Sequence, residues 1–183
     1  GEGQWVHTSL LEAMLSKLDF QGSRYTMDGD IPGQQGNFHP MNVPMGLFEA
    51  SDGYVNISAS GERMFGSFCR TLDVEYLQAD GRFATDEQRV VNRDAINEAV
   101  NEITKRFTTE ELVKKLNPAG VPCGPVYNIG EAFEDVQVKH LEMVWPAPHE
   151  ERGEINLVRT PINLSKNPHG GRFHHCGPKT GEH

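Results

Sequence analysis

The sequence predicts an α+β fold, and three observations carry that prediction. Two stretches open with capping-box spacing and continue with an apolar period of 3.6 residues. One stretch has strand-like alternation around an Asp-Gly turn, and a Gly- and Pro-rich run separates two helical patterns. In that run, Ala119-Gly120-Val121-Pro122-Cys123-Gly124-Pro125-Val126, two prolines and two glycines exclude a regular helix and require an ordered turn or short strand.

Taken in order, Ser9-Leu10-Leu11-Glu12 predicts a helix start. Leu10, Met14 and Leu18, with Leu11 and Leu15 beside them, form the stripe of a core-facing helix that Gly22 would stop. From Gln21 to Pro44 the composition turns to Gly, Asp, Asn, Pro and Gln. A loop of that length either covers a site or is an Ω-like surface connection. Gly33 and Gly36 would let backbone approach a ligand, and Asn37 and His39 offer hydrogen bonds. Met45 to Ala50 and Tyr54 to Ser58, joined through Ser51-Asp52-Gly53, predict an antiparallel hairpin with Val55 and Ile57 on its buried face.

Beyond Ser60 the helical period returns. Met64, Phe65, Phe68, Cys69 and Leu72 share one face, which makes Cys69 a buried packing residue. Thr85 caps a helix carrying two first-turn acids, and Asn92 begins a longer one with Ile96, Val100, Ile103 and Phe107 inward and Asp94, Asn97, Glu98, Asn101 and Lys105 on other faces. Thr108-Thr109-Glu110-Glu111 is a second capping box, and Asn117-Pro118 ends its helix. Asn128 caps a short helix, strands are predicted around Met143-Val144-Trp145 and Ile155 to Arg159, and residues 161–183 read as an irregular tail.

The formal charge is −9, from 26 acids against 17 Lys and Arg without a basic stripe, which excludes a nucleic-acid surface and attachment to an anionic membrane by charge. No apolar run approaches the ~20 residues a bilayer helix needs. Three cysteines, Cys69, Cys123 and Cys176, form no CxxC pair, so neither a disulfide framework nor a thiolate zinc site is indicated and a cytoplasmic location is expected. His169, His174, His175, Cys176 and His183 lack metal-ligand spacing, and Cys123 between Pro122 and Gly124-Pro125 lacks an assignable His partner. The chain begins without Met or a signal-like segment, and both ends read as cuts.

Several segments together resemble the family III CoA-transferases, a group that includes formyl-CoA and carnitine-type CoA-transferases and α-methylacyl-CoA racemases. Gly3-Gln4-Trp5-Val6-His7-Thr8-Ser9-Leu10-Leu11-Glu12-Ala13 is similar to that family's GQ-x-V-(D)-x-SLLEA helix entry. Gln35-Gly36-Asn37 is similar to its R-x-GN loop, and Asp52-Gly53-Tyr54-Val55 to its DGYV hairpin. Asp80-Gly81-Arg82-Phe83-Ala84-Thr85 with Arg89 and Asn92-Arg93, the run Ala119 to Val126, and Gly181-Glu182-His183 complete the set.

The resemblance implies a small α+β domain of helices with a short antiparallel sheet, flanked by pieces of a Rossmann-like large domain. Its parts would be a large-domain helix at 1–22, a linker at 23–44, the small domain at 45–145 and a return segment at 146–183. It implies part of an acyl-CoA:carboxylate CoA-transferase working through an acyl-aspartyl anhydride, whose nucleophilic Asp lies upstream, so that no catalytic residue falls in this chain and the chain alone is inactive. CoA thioester and carboxylic acid would be the substrates, without metal or other cofactor, in an interlocked homodimer. Gln35, Gly36, Asn37 and His39 are the expected substrate-binding residues. Gln35 stands where the family has Arg, and Phe38-His39-Pro40 replaces a run of glycines. Two alternatives remain. One is a racemase, with Glu62 one residue from the position of that branch's carboxylate, where Glu62 is otherwise a first-turn helix acid. The other is a non-catalytic binding or assembly module.

Overall fold

A computed structural model of the chain describes residues 3–149 and 151–163. The chain divides into two compact units, Gly1–Pro125 and Val126–His183.

The first unit begins with α1 (Leu10–Ser16) and α2 (Asp19–Asp28). The capping box forms: the Ser9 hydroxyl accepts the Glu12 N–H at 3.2 Å, and the Glu12 carboxylate accepts the Ser9 N–H at 2.8 Å. Contact with the Ser9 hydroxyl holds the Glu12 carboxyl below the usual carboxylate range. The stop lies at Gly29, not Gly22. Gly29 adopts φ 71°, the left-handed conformation of a helix terminator, whereas Gly22 is accommodated inside α2. The stripe expected to face a core is exposed, from 50% at Leu18 to 88% at Leu10, because the described residues supply no surface against it.

The sheet is built from β1 (Met45–Ala50), β2 (Gly53–Ser58) and β3 (Cys123–Pro125), antiparallel in the order β1-β2-β3. Phe48 pairs with Val55 across the hairpin, and Ile57 pairs with Cys123. Val55 and Ile57 are fully buried while Tyr54 and Asn56 are exposed, the alternation that the sequence predicts. Helices α3 (Glu62–Thr71), α4 (Tyr76–Ala79), α5 (Asp86–Val91), α6 (Arg93–Thr104) and α7 (Thr109–Leu116) close over that face. Phe48, Phe65, Phe68, Ile96, Val100, Ile103, Leu112 and Leu116 form one cluster with the strand residues. Each such side chain stabilises the fold by about 1.5–3 kcal/mol relative to exposure. The hairpin turn is tied to the start of α7: Asp52 accepts the Thr109 N–H at 2.8 Å, and the Ser51 N–H donates to Phe107 O at 2.8 Å.

The Gly-Pro run is a turn leading into β3, held by Asn117. Its Nδ2 donates to Cys123 O at 2.9 Å, and its Oδ1 accepts the Cys123 N–H at 2.8 Å. Burial pushes the Cys123 thiol up to about 11 and the Cys69 thiol up to about 12, so both are packing residues and not thiolates. Asn117→Ala removes both bonds at a part-buried position. It is expected to destabilise the protein by about 1–3 kcal/mol, read as a lower denaturant midpoint with unchanged slope.

The second unit holds α8 (Ile129–Glu134), α9 (Val136–His140) and a hairpin of β4 (Val144–His149) and β5 (Gly153–Val158). Asn128 and Glu131 form a capping box, and Arg159 donates to Leu141 O at 2.7 Å and Glu142 O at 3.0 Å. The two predicted strands fall in β4 and β5. His169, His174, His175, Cys176, His183, the Gly181-Glu182-His183 match and most of the predicted tail lie outside the described residues. Among the described residues no helix is long and apolar enough to cross a membrane. The mixture of helices with small antiparallel sheets is the α+β class expected.

Candidate functional site

The loop after α2 becomes ordered by attaching to β1. Phe38 bridges Gly46, the His39 N–H donates to Met45 O at 2.8 Å, and the Leu47 N–H donates to Asn37 O at 3.1 Å. The Phe38 ring packs on Phe48 at 5.5 Å between centroids. This close approach requires glycine at 46, where φ is 151° and a Cβ would lie 2.5 Å from Asn37 O.

From the other side Arg93, at the start of α6, grips the loop. Its guanidinium donates to Gln35 Oε1, to His39 O at 3.0 Å and to Pro40 O. The loop edge, β1, β2 and α6 thereby enclose an open cavity of about 600 Å³. Gln35, Gly36, Asn37 and Phe38 line it from the loop, Leu47 and Glu49 from β1, Tyr54 from β2, and Asp94, Asn97, Glu98 and Asn101 from α6.

The structure therefore brings Gln35, Gly36 and Asn37 together and leaves His39 out. His39 Nδ1 accepts the Met41 N–H at 3.1 Å and the Asn42 N–H at 2.9 Å, and the ring stacks on Phe20 at 5.6 Å. The α6 wall was missed as part of a site by sequence reasoning, although its spacing of i, i+3, i+4, i+7 is a single helix face. Asn101 Oδ1 accepts the Glu49 N–H at 2.8 Å, and Lys105 pairs with Glu49 at 3.3 Å. Asn97 is 6% exposed, and its Oδ1 has no partner among the described residues.

Amides, a phenol and three carboxylates line this space. Such a lining hydrogen-bonds a neutral, amide- or hydroxyl-bearing stretch of ligand and gives no attraction to a diphosphate. Glu62 is engaged elsewhere: its Oε1 accepts the Asp86 N–H at 3.0 Å and Arg89 Nη2 at 3.1 Å, and the Gly61 N–H donates to Asp86 at 3.0 Å. Arg89 is fully buried, pairs also with Asp86, donates to Phe83 O at 2.8 Å and lies 4.4 Å from the Phe65 ring centroid. The second unit has its own cavity of about 530 Å³ with a largely apolar wall including Phe133, Met143, Val144 and Trp145. Among the described residues no group of three His, Cys, Asp or Glu is placed to hold a metal ion.

The profile of one protein family, described as CoA-transferase family III, matches residues 1–183. A succinate–glutarate CoA-transferase of Agrobacterium fabrum is 30% identical over 183 residues, which are 100% of this chain and 45% of that protein. A succinyl-CoA:mesaconate CoA-transferase of Haloarcula hispanica is 30% identical over 167 residues, covering 91% of this chain and 41% of that protein. Among solved structures, a CaiB/BaiF family protein from Brucella suis superposes with a TM-score of 0.74 at 32% identity, covering 87% of this chain and 41% of that one. The chain thus spans less than half the length of each of these relatives.

Proposed function

Because the chain belongs to CoA-transferase family III, we propose that it is one part of an acyl-CoA:carboxylate CoA-transferase, which moves CoA between carboxylic acids. The observation that carries this reading is the match of the family along the whole chain, with relatives whose names are those of CoA-transferases acting on succinate, glutarate or mesaconate. In this reading the nucleophilic Asp and the main contacts to CoA lie upstream of residue 1. The Asp carboxylate attacks the thioester carbonyl, the C–S bond breaks to release CoA thiolate, and the acyl group stays on the enzyme as an anhydride. CoA thiolate attacks the aspartyl carbonyl of that anhydride, which releases the donor acid as its carboxylate and leaves an aspartyl-CoA thioester. The acceptor carboxylate attacks this thioester to give a second acyl-aspartyl anhydride and CoA thiolate. The thiolate then attacks the acceptor's acyl carbonyl, forming the new CoA thioester and freeing the Asp carboxylate.

Gln35, Gly36 and Asn37 border the substrate, where donors and small residues shield an anhydride from water. His39 supports the loop: it does not line the cavity, and its Nδ1 accepts two backbone N–H groups. The three carboxylates of the cavity support placing the phosphate-bearing end of CoA elsewhere. The organisation follows the family: residues 1–22 with a large domain, 23–44 as linker, 45–145 as small domain and 146–183 as return segment, in an interlocked cytoplasmic homodimer. The exposed stripe of Leu10, Met14 and Leu18 supports a large-domain partner for α1. CoA thioester enters as substrate, and the reaction needs no further cofactor.

Transferase is favoured over racemase because Glu62 is committed to Asp86 N–H and Arg89, which leaves it poorly disposed to remove an α-proton. The test uses the full-length protein with succinyl-CoA and labelled glutarate. Appearance of labelled glutaryl-CoA, without loss of α-deuterium from a 2-methylacyl-CoA, is the expected result. Deuterium loss without CoA exchange would sink the proposal, and neither activity would favour a binding or assembly module.

A further inference from the structure

We propose that Arg93 is a positioning residue that makes Gln35 a hydrogen-bond donor toward the cavity, so that this edge of the site recognises a neutral acceptor oxygen of its ligand, a carbonyl oxygen. The inference rests on the reading of the loop as ligand-binding.

A guanidinium has donors only, so the atom of Gln35 that meets it is the amide oxygen, and the orientation of the amide is fixed by chemistry. With Oε1 consumed, Nε2 is the free end. Its one partner among the described residues is Gly33 O at 3.5 Å, the outer limit of a hydrogen bond. Gln35 lines the cavity and is half-buried, so this amide nitrogen has N–H capacity left for a ligand. Among the described residues Arg93 has no carboxylate partner. Its charge is spent on three uncharged oxygens, and a charge-assisted bond at Oε1 polarises the amide and strengthens the N–H at its other end. The same guanidinium holds His39 O and Pro40 O, which sets the loop and the amide together. A lysine ammonium cannot span these three oxygens in one plane.

The test is made in the full-length protein with succinyl-CoA as probe, by calorimetric binding and by KM in CoA exchange. Gln35→Glu keeps an oxygen for Arg93, and so keeps the loop, but removes the donor. It is expected to leave the thermal midpoint unchanged or higher and to weaken succinyl-CoA binding roughly 5- to 50-fold. The loss should persist in about 1 M salt, where screening reduces charge repulsion. Arg93→Met is expected to raise KM similarly and to speed amide hydrogen exchange at Phe38, His39, Met41 and Asn42, with Arg93→Lys restoring only part of either.

Binding by Gln35→Glu equal to wild type, or a loss that vanishes in high salt, overturns the donor role. Arg93→Met with a lowered thermal midpoint but unchanged KM overturns positioning. Wild-type binding without CoA exchange sinks the functional reading alone, because the binding comparison still decides the donor role. Failure of wild type to bind overturns both.

Discussion

Gly46→Ala is expected to destabilise the protein by about 2–4 kcal/mol, combining backbone strain with an overpacked contact. The added methyl would lie 2.5 Å from Asn37 O and 2.8 Å from Phe38 Cα, both backbone atoms that no rotamer change can move aside. The φ of 151° is itself a conformation that side-chain-bearing residues rarely adopt. Relief requires the loop to leave β1, which breaks the His39–Met45 and Leu47–Asn37 hydrogen bonds and removes the cavity's loop edge. Amide exchange at His39 and Leu47, with chemical denaturation, measures this. Wild-type protection and stability in the alanine variant would show that the loop is not held as described.

Arg89→Ala is expected to cost about 3–8 kcal/mol. Emptying the space of a fully buried long side chain costs about 2–5 kcal/mol, and leaving the Phe83 carbonyl without its donor adds about 1–3. The ion pairs themselves are discounted, because the Glu62 and Asp86 side chains are 59% and 46% exposed and water can take over from the guanidinium. Arg89→Lys restores charge but not the fork that reaches Glu62, Asp86 and Phe83 O together, and recovers only part of the loss. Denaturant midpoints of the two variants decide it. A loss below about 1 kcal/mol in Arg89→Ala would mean that the cavity collapses without harm.

Local signals were legible. The capping boxes at Ser9 and Thr108 form as read, because they involve residues three apart and need no distant partner. The Asp52-Gly53 hairpin and the inward stripe Ile96, Val100, Ile103 are likewise fixed by turn chemistry and period. Periodicity identifies a face but not what covers it, which is why the Leu10 to Leu18 stripe reads as core and stands exposed here. Gly22 and Gly29 look alike in a sequence, and only the second takes the left-handed conformation that ends a helix.

Long-range attachments were hidden. Arg89 sits among polar residues and resembles a surface cation, yet Glu62, from another helix, supplies one of the contacts that let it be buried. Arg93 was visible only as part of a motif. Its grip on residues more than fifty positions earlier is a tertiary fact, as is the α6 wall of the cavity.

The order of strands in the sheet has a consequence for how the chain is made. β2 gains β1 through a tight turn, but its other neighbour, β3, emerges from the ribosome only after α3 to α7. Until then β2 presents an open edge beside Val55 and Ile57, and an unpaired apolar edge is a template for pairing with other nascent chains. A chain interrupted before Cys123 would keep that edge permanently, whereas three residues, Cys123–Pro125, suffice to close it.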